Sequence, residues 1–179
     1  MRGAGSTETG RVPGLEEMAD RLAIQEVLAK HSRGVDRADA ATLESTYWPD
    51  GTVAYGGFNG SASEFCAMLP DAIRAWARTQ HTLSNTCIEF RGARALVETY
   101  VTAYHYQAGD GGDTEMTYLG RYLDTMERRH GVWKILHRQV VMDWNRHTAA
   151  TAVMEGPPFD GLAQGARHPD DPLDRLLDD

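Results

Sequence analysis

Four stretches in the second half of the chain, residues 82–90, 95–107, 114–128 and 132–145, alternate apolar and polar residues with a period of two. No other feature limits the fold so tightly. This period places successive side chains on opposite faces of a strand. The breaks between the stretches are short: Arg91-Gly92, the glycine-rich segment 108–113, and Arg129-His130-Gly131. Long consecutive strands with short breaks pair as antiparallel hairpins. Within 95–107, Leu96, Tyr100, Tyr104 and Tyr106 share one face, and Val97, Val101, Ala103 and His105 share the other. Alternation alone leaves open which face lines a cavity.

Helical spacing governs the first half. Leu15, Met18, Leu22, Gln25 and Leu28 recur three and four residues apart, with Ile24 and Val27 widening the stripe. This predicts an amphipathic helix to about Ser32, ended by Gly34. Asp39 is placed to cap a short second helix through Tyr47, stopped by Trp48-Pro49-Asp50-Gly51. Residues 52–55 read as a short strand closed by Gly56-Gly57. Ser61-Ala62-Ser63-Glu64 has the capping-box pattern. Phe65, Met68, Leu69, Ile73 and Trp76 then mark a third helix ending near Arg78, with Pro70 implying a kink or a break. Helices first and strands after define an α+β chain, a curved sheet wrapped around its own helices. Residues 1–14 lack periodicity and read as a flexible leader, 15–145 as one α+β domain, and 146–179 as a C-terminal tail. Phe159, Leu162, Leu173, Leu176 and Leu177 are the side chains by which that tail would dock.

Composition narrows the function. At 179 residues the chain has the length of one domain. Its 18 Lys and Arg against 26 Asp and Glu leave a net charge of −8, without the basic footprint that nucleic acids require. No apolar run reaches the roughly 20 residues of a bilayer span, and no apolar signal core precedes the first helix, so a cytoplasmic protein is expected. Cys66 and Cys87 are too few for a disulfide framework or a thiolate zinc site. No glycine-rich phosphate loop follows a strand and no Gly-x-Ser-x-Gly elbow is present, so no nucleotide cofactor and no serine nucleophile are expected. None of the seven histidines has the His-Glu-x-x-His spacing. His105 with His137 is the strand pair a metal would use, and no metal is expected.

Two positions stand apart. Asp36, in Gly34-Val35-Asp36-Arg37, follows the long helix, where the helix dipole disfavours an exposed carboxylate. His81, in Thr79-Gln80-His81-Thr82, stands at the entry to the first long strand. Each has a plain structural alternative: a turn or cap residue for Asp36, a half-buried strand histidine bonded to backbone for His81.

The order Leu22-Ala23-Ile24-Gln25-Glu26-Val27-Leu28, Gly34-Val35-Asp36-Arg37, Trp48-Pro49-Asp50-Gly51, His81-Thr82-Leu83-Ser84-Asn85 and Arg128-Arg129-His130-Gly131-Val132-Trp133-Lys134-Ile135 resembles the SnoaL-like branch of the nuclear-transport-factor-2-like superfamily. That branch includes scytalone dehydratase, bile-acid 7α-dehydratase, hexachlorocyclohexane dehydrochlorinase and polyketide cyclases. The resemblance spans about 15–145. It implies a cone-shaped barrel of strongly curved, mixed and mainly antiparallel sheet with three N-terminal helices. It also implies that His81 is a general base, Asp36 the carboxylate that orients it, and Arg138 a pocket arginine. His31 falls where relatives carry lysine or tyrosine, a proton donor or a pocket-shaping residue. Tyr55, Tyr104 and Tyr118 are candidate substrate contacts.

The chemistry fits such a pair. Histidine is the side chain whose ordinary pKa lies near neutrality. A carboxylate on one ring nitrogen leaves the other free to take a carbon-bound proton and stabilises the imidazolium that forms. The expected activity is a cofactor-independent lyase, a dehydratase, acting on a cyclic apolar steroid, terpenoid or polyketide. The alternatives are an isomerase or polyketide cyclase on the same fold, or a non-catalytic ligand-binding or structural subunit. Epoxide hydrolysis would favour an Asp-Arg-Asp set, and His81 argues against it. A one-sided sheet leaves an apolar face for a symmetric partner, so a homo-oligomer, trimer or dimer, is expected.

Overall fold

The computed structural model describes residues 10–178, so most of the expected leader lies outside the described residues. In chain order the elements are α1 (Leu15–Asp36), α2 (Ala40–Ser45), β1 (Tyr47–Tyr55), β2 (Phe58–Ser61), α3 (Ala62–Arg74), β3 (Arg78–Arg91), β4 (Arg94–Gln107), β5 (Thr114–Arg129), β6 (Val132–Ala149) and α4 (Pro172–Asp178). The strands form one sheet in the order β2-β1-β6-β5-β4-β3. Pairing is antiparallel throughout except for β1 and β6, which run parallel. The sheet curls without closing and holds the helices on its concave side, the α+β cone that the family resemblance implies.

Bulges produce the curl, because an extra residue bends a strand and raises its twist. Register shifts fall between Ser84 and Cys87 in β3, and at Asp143 and Leu136 in β6, opposite Leu119/Gly120 and Thr125/Met126 of β5. Asn85 takes up the first shift with φ of 47°, a conformation that asparagine tolerates better than most residues. Within the curl, Ile24, Leu28 and Val35 of α1, Leu43 of α2, and Phe65, Leu69 and Ile73 of α3 pack against Val53, Val97, Met126, Trp133 and Ile135. Trp133 is buried, and its Nε1 donates to Asp20 Oδ1 at 2.7 Å, tying α1 to the sheet.

Several boundaries differ from the sequence expectation. Helix α1 does not stop at Gly34 but runs to Asp36. Gly34 serves close approach instead: a Cβ there would lie 3.0 Å from the Leu43 backbone N of α2. The buried stripe of α1 also shifts, since Leu15 and Leu22 are 84% and 65% exposed while His31, Ser32 and Asp36 are buried. Helix α2 ends at Ser45, and Tyr47 already begins β1, which passes through Trp48-Pro49-Asp50-Gly51 by shifting register on β6. The four-residue β2 was too short for alternation to reveal. Helix α3 starts on the expected capping box and continues through the buried Pro70 without a break. It ends at Arg74, so β3 begins at Arg78 and His81 lies inside a strand rather than at its entry. Beyond β6 the tail is fastened by Arg167 and Asp171 rather than by its leucines, and Leu162, Leu176 and Leu177 are exposed.

Candidate functional site

A cavity of about 250 Å³ opens between α1, α3 and the concave sheet face, with walls that include Val35, Phe65, Leu69, Ile73, Ala103 and Val140. The last residue of α1 and the fourth of β3 meet at its edge. Asp36 Oδ1 lies 2.7 Å from His81 Nδ1, and Asp36 Oδ2 accepts from the His81 backbone N–H at 2.8 Å. Both side chains are close to fully buried. A carboxylate only accepts, so the proton sits on Nδ1 and Nε2 is the nitrogen left for the cavity. Burial pushes the Asp36 carboxyl up, but the His81 ring, its backbone N–H and the Thr79 hydroxyl outweigh burial and hold it below the usual value. These donors offset the unfavourable helix end on which Asp36 sits.

The cavity floor is a second polar cluster. Arg138 of β6 is 1% exposed and donates through Nε and Nη2 to Asp124 of β5 at 2.8 and 2.7 Å, a bidentate pair. Its Nη1 lies 2.9 Å from His31 Nδ1, and His31 Nε2 lies 3.0 Å from the Tyr47 hydroxyl. The guanidinium stacks 4.0 Å over the Tyr122 ring. Burial, then the charges of Arg138 and His81, drive the His31 pKa well below its ordinary value, so this imidazole is neutral. Burial raises the Tyr47 and Tyr122 hydroxyls, which stay protonated.

The structure therefore brings together His81, Asp36, Arg138 and His31, and adds Tyr55 and Tyr118 to the same cavity wall. The Tyr118 hydroxyl donates to the Val141 carbonyl at 2.8 Å. Its ring lies over Gly120, where a Cβ would come within 2.8 Å of the ring. Tyr104 is not part of the cavity. It is 49% exposed and lies with Gln80, Tyr106 and Thr117 in a separate groove, because its strand position points away from the helices. His105 and His137 do not meet either: His105 lines the cavity, whereas His137 lies in an outer groove with Leu96 and Glu98 and contacts Thr52 Oγ1 at 2.8 Å. Among the described residues no group of three or more His, Cys, Asp and Glu is arranged to hold a metal ion.

Sequence reasoning weighed His105 only as a metal ligand and Tyr122 only as one of several strand tyrosines, and both line the cavity. His105 is buried, its ring sits 5.7 Å from His81 and 4.8 Å from Trp76, and its Nδ1 has no hydrogen-bond partner among the described residues. Burial, with the His81 charge adding, pulls its pKa down to about 4. The signal was present in the alternation, which groups His105 with Val97, Val101 and Ala103, the face that proves to be buried.

A curled sheet over helices, with a histidine–carboxylate pair at the edge of a cavity between them, defines a small-molecule-binding cone. The chain belongs to the SnoaL-like domain family, whose profile matches residues 16–139. Its fold is shared with a candidate scytalone dehydratase from Novosphingobium aromaticivorans (TM-score 0.64, 23% identity, 83% of this chain and 97% of that one). It is shared equally with the hexachlorocyclohexane dehydrochlorinase LinA-type3 of Novosphingobium barchaimii (0.66, 23%, 80% and 99%). A similar structure of LinA matches with TM-score 0.67 at 20% identity over 80% of this chain and 98% of that one. No curated protein matches the sequence closely enough to count as a relative. No helix among the described residues is long and apolar enough to cross a membrane.

Proposed function

We propose that the protein is a cofactor-independent lyase that removes a carbon-bound proton and a β-hydroxyl from a cyclic apolar substrate. One observation carries this: both Asp36 oxygens are bound to His81, leaving Nε2 as the free base of a cavity with largely apolar walls. In the reaction Nε2 takes the proton α to an activating carbonyl, and the C–H electron pair becomes the new C=C bond. The C–O bond to the β-hydroxyl breaks, and the departing oxygen takes from His81 Nε2 the proton removed from carbon, leaving as water and restoring the neutral base. Asp36 holds the ring in one tautomer and stabilises the imidazolium. Arg138 at the floor offers an N–H to the departing oxygen, while His31, engaged by Arg138 and Tyr47, shapes the floor, and Tyr55 and Tyr118 shape the wall. The dehydratase and dehydrochlorinase names of the structural neighbours support elimination as the reaction class.

The test is a panel of cyclic β-hydroxy ketones, from 3-hydroxycyclohexanone to hydroxylated decalones, followed by the ultraviolet absorbance of the conjugated enone. Wild-type protein should accelerate enone formation for at least one ring size, and His81→Ala should not. Ligand binding with no enone from any member would instead favour a binding module.

A further inference from the structure

The C-terminal tail reaches back to the dyad through one side chain. Arg167 lies between the C-terminal ends of α1 and α3. Its Nη2 donates to the carbonyls of Trp76 at 3.0 Å and Ile73 at 3.3 Å. Its Nη1 donates to the carbonyl of Asp36 itself and to Thr79 Oγ1 at 2.8 Å. Helix C-termini carry unsatisfied carbonyls and the negative end of the dipole, so a guanidinium is favoured there twice over. The neighbouring chain is pinned in register: the His168 backbone N–H donates to the Arg37 carbonyl at 2.8 Å, and Asp171 pairs with Arg37 at 3.0 Å.

We propose that Arg167 is a positioning residue for the Asp36–His81 dyad, acting through Thr79 and through the backbone of Asp36. A threonine hydroxyl has one proton and two lone pairs. Arg167 Nη1 occupies one of those lone pairs and also holds the Asp36 carbonyl, so the end of α1 and the Thr79 hydroxyl, two residues before His81 on β3, are tied to one nitrogen. The same guanidinium fixes the end of α1, from which Asp36 projects, against the start of β3, from which His81 projects. Arg167 touches neither the cavity nor the ring. Lysine cannot replace it, because one ammonium nitrogen cannot span four acceptors shared between two guanidinium nitrogens. Completion of the dyad thus depends on a segment beyond the matched family region, and a folded core without its tail carries a loosened base.

This inference rests on the dyad described above but not on turnover, so its test needs no substrate. The probe is the proton on His81 Nδ1, held against a buried carboxylate and seen by NMR as a slowly exchanging downfield resonance. It is assigned by its absence from His81→Gln. Arg167→Ala, Arg167→Lys and Thr79→Val should each accelerate its exchange with water by about tenfold or more, the loss of one hydrogen bond to a charged group, while Thr79→Ser retains wild-type exchange. Thr79→Val decides alone if the arginine variants fail to fold. Wild-type exchange in Thr79→Val, with or without an effect of Arg167→Ala, would overturn the proposal and leave Arg167 as a packing anchor.

Discussion

At the scale of single residues, the dyad's strength lies in the number of donors around one carboxylate. His81→Ala should remove nearly all turnover while leaving the cavity open to ligand. Asp36→Asn keeps the shape but offers the ring an amide, and should cost about 10²- to 10⁴-fold in kcat, the range of general acid–base effects. The two act as a unit, so the double variant should be little worse than His81→Ala; additive losses would contradict the pairing. A second prediction concerns His105 and His31, whose pKa values burial lowers, His105 to about 4. The unfolded chain then binds more protons than the folded one between the ordinary value near 6.5 and about 4. The stability these neutral rings represent is whole above pH 6.5 and lost as pH falls through that window. Thermal melts should show the decline, and His105→Leu should flatten it. The dyad was legible through the family resemblance and not through local pattern, because a carboxylate after a helix and a histidine on a strand each have a plain structural reading. Tyr104 was not, because alternation separates two faces without telling which one the helices cover.

At the scale of elements, the least legible positions were those where packing overrides a local rule. Gly34 has the appearance of a helix stop, yet it lies inside α1 because α2 presses against it. Gly34→Ala should therefore destabilise the protein despite alanine's better helix propensity, by about 1–3 kcal/mol, the usual cost of overpacking. Urea titration measures this, and a stabilised variant would show that α2 yields freely. Pro70 similarly suggested a break in a helix that remains continuous among buried neighbours. By contrast the capping box of α3 and the four long strands appeared as expected, since side chain-to-backbone bonds and a period of two are local properties. The Trp133 segment, part of the order that carries the resemblance, anchors the first helix to the last strand through its bond to Asp20.

At the scale of the whole molecule, the concave side of the sheet is filled by helices while Leu96, Tyr100, Tyr104 and Trp144 remain exposed. A homo-oligomer covering such residues is expected, and light scattering should give a trimer or dimer; a monomer at micromolar concentration would contradict it. Truncation after Thr151 should leave a folded protein, because the tail is held largely by polar contacts, but one with impaired chemistry because Arg167 is lost. These assembly properties were poorly legible, since they depend on how the curled sheet is covered rather than on local pattern. The base itself can be tested apart from any leaving group. A cyclic ketone such as 2-tetralone, incubated in D₂O and followed by proton NMR, reports proton abstraction in the cavity. Wild-type protein should exchange the α protons well above the buffer rate, Asp36→Asn more slowly, and His81→Ala at background. Equal exchange by wild type and His81→Ala would show that His81 is not the base.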